Sequence, residues 1–141
     1  ELEQELRSLP GYRWVCFLGW LPWELAWKHA HAAVGGLVLF HPAPNHTNSL
    51  PNKLFEYMAA GLPVVASNFP LWKEIVEGNR CGITVDPLDP KAIAQAIEYL
   101  LTHPEEARQM GENGRRAVIE KYNWEQEKEK LLKLYEKLLR K

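Results

Sequence analysis

Cysteine is scarce in this chain, with two residues, Cys16 and Cys81, in 141. So few thiols, so far apart, exclude a disulfide framework and a zinc ribbon or knuckle. Both read as buried thiols of a reducing compartment, an internal disulfide being the lesser alternative. A dominant charge sign is also missing. The formal net charge is -1, which gives no long-range attraction toward nucleic acid or an anionic membrane, so neither is expected as a partner. No apolar run reaches the length of a transmembrane helix. The first residues, Glu1 to Arg7, are acidic and helical in character, unlike a secretory leader. Metal-ligand clusters are absent as well. His29 and His31 lie two apart on a helical pattern and diverge, while His41 and His46 are loop residues, so no metal site is expected. No Ser-His-Asp or Cys-His arrangement can be assembled.

What is present is a 46% hydrophobic chain of single-domain length. Residues 1–9 read as the end of a helix, with Leu2, Leu6 and Leu9 on one face and Pro10-Gly11 as its breaker. Arg13–Leu18 is an apolar run suited to a strand buried on both faces. A helix follows from Trp23 to about Val34. Further strands are expected at Leu37–Phe40, Pro63–Ala66 and Gly82–Val85, separated by helices over Asn52–Ala60 and Leu71–Glu77. Asp89-Pro90 opens another helix as N-cap and first-turn proline. Two more complete the chain, one from Glu105 to about Tyr122 and an amphipathic one from Trp124 to Lys141. Its inward face is expected to carry Leu131, Tyr135, Leu138 and Leu139, with Glu129–Lys133 and Glu136–Arg140 paired outside.

The alternation of about four strands with helices predicts an α/β fold: a Rossmann-like parallel sheet with helices on both faces and C-terminal helices beyond it. We expect the strand 13–18 to dock beside 37–40. If it stood apart, its open edges would invite self-association.

The segment Asn48 to Ser67 concentrates the chemistry. A polar loop, residues 41–51, leaves the carboxyl end of a strand and feeds the start of a helix. Ligands of open parallel sheets bind there, and a helix start offers unpaired N–H groups to a phosphate. Asn48 or Ser49 is placed to cap that turn. Glu56, one turn in, suits two ribose hydroxyls as a charge-assisted acceptor; on spacing alone a surface ion pair with Lys53 is the commoner arrangement. Lys53 is thus either a phosphate partner or half of that pair.

The run Asn48-Ser-Leu-Pro-Asn-Lys-Leu-Phe-Glu56-Tyr-Met-Ala-Ala-Gly-Leu-Pro-Val-Val-Ala-Ser67 resembles the signature of the group 1, or family 4, retaining glycosyltransferases. Phe17-Leu-Gly-Trp20, the stretch from Glu74 to Pro87, and Asn123-Trp124 resemble other parts of the same family in order. The resemblance implies the C-terminal, nucleotide-sugar-binding part of a GT-B fold, in which two Rossmann-like domains face a cleft. It implies that Glu56 holds the nucleotide ribose and that position 48 contacts the donor sugar. The family has Glu there and this chain has Asn48, a neutral variant. Ser49, Leu50 and Lys53 match the diphosphate-binding helix start. Gly19, Trp20 and Leu21 match a loop that touches the base, where Trp20 either stacks on the base or packs on the rim.

On this resemblance, residues 1–141 form a partial domain lacking its first two strands, the basic pair that follows the first of them, and the acceptor domain. No catalytic residue is expected within it, and the isolated chain is expected to be inactive. The parent is expected to transfer a sugar from a UDP- or GDP-linked donor to an acceptor hydroxyl with retention. It would need no metal or other cofactor, and would act in the cytoplasm or at the inner face of the membrane in bacterial surface polysaccharide or glycolipid synthesis. A sugar-nucleotide epimerase of the same scaffold and a non-catalytic binding module are the alternatives.

Overall fold

The computed structural model describes residues 2–140. Three strands form one parallel sheet: β1 (Gly36–Val38), β2 (Val64–Ser67) and β3 (Gly82–Val85). Gly36 is in register with Val64, and Val64 with Gly82. Eight helices accompany them: α1 (Leu2–Ser8), α2 (Trp23–Ala32), α3 (Pro44–Thr47), α4 (Asn52–Ala59), α5 (Pro70–Gly78), α6 (Pro90–Thr102), α7 (Pro104–Glu120) and α8 (Trp124–Leu139). Glu1 and Lys141, the outer ends of the first and last helices read from the sequence, lie outside the described residues.

All four residues of β2 are buried, as a strand covered on both faces must be. On one face Val38, Val64 and Ala66 pack with Leu54 and Met58 of α4, Trp72 and Val76 of α5, and Cys81. On the other, Val65 and Val85 meet Ala96 and Leu100 of α6 and Ala107 of α7. The doubly covered parallel sheet is therefore the one expected, with one strand fewer. Asp89 caps α6 as its sequence position implies, accepting from Lys91 N–H at 2.9 Å and Ala92 N–H at 3.2 Å. After α4 the chain reverses at Gly61 (φ 76°). Gly61 N–H donates to Met58 and Leu62 N–H to Tyr57, both at 3.0 Å. This is a Schellman closure, and it needs the left-handed residue that glycine supplies.

The expected strand 13–18 does not form. Pro10–Trp14 is instead a 3-10 turn, closed by Tyr12 N–H to Leu9 at 2.9 Å and Val15 N–H to Tyr12 at 2.8 Å. Residues 15–19 then pair with neither β1 nor any other described strand. The apolar run had suggested burial, but Trp14, Val15, Phe17 and Leu18 are all exposed. An extended segment becomes a strand only where a neighbour completes its ladder. Cys16 is accordingly exposed, against expectation, whereas Cys81 is buried. Leu2, Leu6 and Leu9 are exposed too.

The apolar stripe of α8 is present but does not face inward. Leu131, Tyr135, Leu138 and Leu139 are exposed, and no residue of the helix is buried. Its described ion pairs are Glu125–Lys128 and Glu127–Lys130, not those expected from the spacing. No described helix is long and apolar enough to cross a membrane.

Candidate functional site

The loop between β1 and α4 leaves the carboxyl end of the sheet and carries one helical turn, α3. Pro44 opens that turn with its preset backbone angle. Its last residues fold on themselves: Ser49 Oγ donates to His46 O at 3.2 Å, while Asn48 Nδ2 lies 3.5 Å from Pro44 O. Neither caps α4, contrary to expectation. Pro51 occupies the N-cap position, and no side chain accepts from the first N–H groups of the helix. Those groups carry the positive end of the helix dipole.

Asn48, Ser49 and Leu50 are exposed and Lys53 is half-buried. The Lys53 ammonium lies 4.7 Å from the centre of the Phe40 ring, a cation–π contact. Burial lowers its pKa from the ordinary 10.5. No Lys53–Glu56 ion pair forms among the described residues; the ion pairs present lie elsewhere. Lys53 thus turns toward Phe40, and Glu56 keeps an exposed carboxylate with no described bond.

Glu56 lines a cleft of about 630 Å³ together with Gly19, Leu21, Gly36, Leu37, Tyr57 and residues of α2. Three residues singled out in the sequence, Gly19, Leu21 and Glu56, are therefore brought together. Gly19 takes the left-handed conformation (φ 67°) that turns the chain toward α2. Trp20 is 86% exposed and is not among the residues lining this cleft. Leu50 lines a different hollow, with Phe55, Tyr122 and Trp124. Asn48, Ser49 and Lys53 also lie outside the Glu56 cleft. The site is thus two adjoining patches that meet on α4: a loop and helix start, and a cleft one turn further on. The His, Cys, Asp and Glu residues described form no cluster of three capable of holding a metal.

Residues 2–117 match the family model described as "Glycosyl transferases group 1". The chain belongs to that family. It is 34% identical over 85 residues to an MMP alpha-(1->4)-mannosyltransferase of Mycolicibacterium hassiacum, covering 60% of this chain and 21% of that protein. A second relative is a GDP-mannose-dependent alpha-(1-6)-phosphatidylinositol monomannoside mannosyltransferase of Mycobacterium tuberculosis. It is 36% identical over 70 residues, which span 50% of this chain and 18% of that protein. Among solved structures, a sucrose-phosphate synthase from Thermosynechococcus elongatus superposes with a TM-score of 0.82 at 29% identity, over 98% of this chain and 33% of the other. The group 1 chain is therefore of the GT-B C-terminal type expected from its sequence, and it spans a third or less of these relatives.

Two residues tied to the loop escaped the sequence reading. Trp72 falls within the expected helix Leu71–Glu77 and Ser67 just past the expected strand Pro63–Ala66, with no role assigned to either; both reach the loop through hydrogen bonds. The signal available for Trp72 was general: a buried indole N–H requires an acceptor.

Proposed function

We propose that this chain is the donor-holding part of a retaining glycosyltransferase. The acceptor hydroxyl oxygen forms a bond to the anomeric carbon of a nucleotide sugar. The bond from that carbon to the diphosphate oxygen breaks, the nucleoside diphosphate departs, and the hydroxyl proton is taken up by the leaving phosphate. The side of the reaction assigned to this chain is the leaving group. The uncapped start of α4 and the Lys53 ammonium stabilise the charge that develops on the diphosphate, a preorganised arrangement that needs no solvent rearrangement. Glu56 accepts hydrogen bonds from the ribose hydroxyls. Asn48 offers its neutral amide to the sugar, while Gly19 and Leu21 border the base with Trp20 at the rim.

The single observation that carries this reading is Glu56 itself. Within a chain of the group 1 family, an exposed carboxylate with no ion-pair partner among the described residues lines a cleft one turn beyond an uncapped helix start. One relative is GDP-mannose-dependent, which supports GDP beside UDP as the donor nucleotide. In the same reading no metal is needed, the acceptor is a growing glycan or glycolipid, and the reaction takes place in the cytoplasm or at the inner face of the membrane. The acceptor domain and the first two strands of the donor domain complete the catalyst, so this chain alone transfers no sugar.

Calorimetric titration of UDP and GDP into the whole encoded polypeptide tests the reading. One of the two is expected to bind, and Glu56→Gln to weaken it by about tenfold, the loss of one charge-assisted contact. Equal affinity in the Gln variant would remove Glu56 from the ribose site.

A further inference from the structure

Phe40 follows β1 just beyond the last ladder pair, Val38 with Ala66. Its backbone is nevertheless fixed. The fully buried Ser67 hydroxyl accepts from Phe40 N–H at 2.9 Å and donates to Phe40 O at 3.1 Å. One side chain thereby continues the sheet for a further residue. At the other end of the loop, the Trp72 indole N–H donates to the Ser49 carbonyl at 2.6 Å, and Trp72 is 1% exposed. Between these ties, the Phe40 ring meets Trp72 edge to face at 5.6 Å and His46 at 5.0 Å. Its free face lies under the Lys53 ammonium at 4.7 Å.

An exposed loop ordinarily leaves such carbonyls to water. Here a buried donor on α5 and a buried hydroxyl on β2 hold its two ends, while Asn48 and Ser49 between them keep exposed side chains. The same Trp72 that binds Ser49 also sets the ring on which Lys53 rests. A shift in Trp72 would therefore displace both the loop and the cation.

We propose that Ser67 and Trp72 are positioning residues: they tether loop 39–51 and Lys53 in the geometry that receives a nucleoside diphosphate. The assignment rests on the donor-holding reading above, and touches substrate only through the residues it holds.

The test uses the whole encoded polypeptide with Trp72→Phe, which keeps an aromatic ring but loses the donor, and Ser67→Ala. Val76→Ala serves as a control, because it creates a core lesion on the same helix α5 at a fully buried residue. Backbone amide exchange is followed over residues 41–53, and UDP and GDP affinities are measured by calorimetry. Each tether variant is expected to speed exchange in the loop and to weaken nucleotide binding by about tenfold, the scale of one hydrogen bond lost with its partner left unsatisfied. Val76→Ala is expected to lower the melting temperature and to change neither. Unaltered loop exchange in both tether variants, or a loosened loop with unaltered affinity, overturns the tether while leaving the donor reading intact. The same loop changes in Val76→Ala would reduce the tether to general stability. A wild type that binds neither nucleotide overturns the donor reading and the purpose assigned to the tether together.

Discussion

Gly111 of α7 lies directly against the carbonyl of Gly61, so closely that a Cβ at position 111 would stand 1.9 Å from that oxygen. The contact seats α7 on the closure that ends α4. Neither partner can yield easily, since both are backbone and Gly61 is held at positive φ. Gly111→Ala is expected to destabilise the chain by about 1–3 kcal/mol, the range for overpacking a filled interior. Thermal unfolding measures it, and an unchanged melting temperature would show that α7 can slide.

The two thiols should behave as opposites. Burial pushes the Cys81 thiol up to about 11 from the ordinary 9.0, while Cys16 is exposed. In the native chain at pH 8, a disulfide reagent is expected to titrate one thiol quickly and the other only on unfolding. Cys16→Ser should abolish the fast phase. Because the folded pKa is raised, the contribution of the neutral Cys81 thiol to stability is fully present below pH 9.0. It declines as the pH climbs toward about 11. Denaturant melts across that interval should show the decline and Cys81→Ala should remove it; a pH-independent wild type would contradict the burial.

Lys53 carries a cation that its surroundings disfavour, since burial lowers its pKa. That cost is present at neutral pH and fades only as the pH rises through the usual lysine range. Lys53→Met keeps a long apolar side chain over the Phe40 ring, where sulfur also packs well. We expect a melting temperature equal to or above the wild type, together with about a tenfold loss of nucleoside diphosphate affinity at low salt, the scale of one charge-assisted contact. A lower melting temperature with unaltered affinity would assign Lys53 to the fold instead of the site.

The parts of the fold visible in the sequence were those whose signals are local. The three strands stand out as short apolar runs bounded by Gly, Pro or polar loops, and Asp89-Pro90 marks its helix start unaided. The run 13–18 carries the same apolar signal, yet pairing is a property of two segments, and no described strand pairs with it. The stripe on α8 was legible for the same reason that its direction was not. Periodicity locates an apolar face without saying what covers it. At the site, spacing left Glu56 and Lys53 open between an ion pair and a ligand role. In the structure the ion pair does not form, because Lys53 turns toward Phe40, a contact across thirteen residues that no pattern in the chain encodes. Asn48 and Ser49 looked like caps, but the α3 turn consumes their bonds first.

The strand order of the sheet, β1-β2-β3, repeats the order of the chain. Each strand pairs with the one made just before it, so no strand must wait for a later one to be inserted between it and its predecessor. On the ribosome, where a chain emerges from its N-terminal side, this sheet can grow one edge at a time. The segment bearing Glu56 is itself made before β2, the strand that completes the ladder of β1.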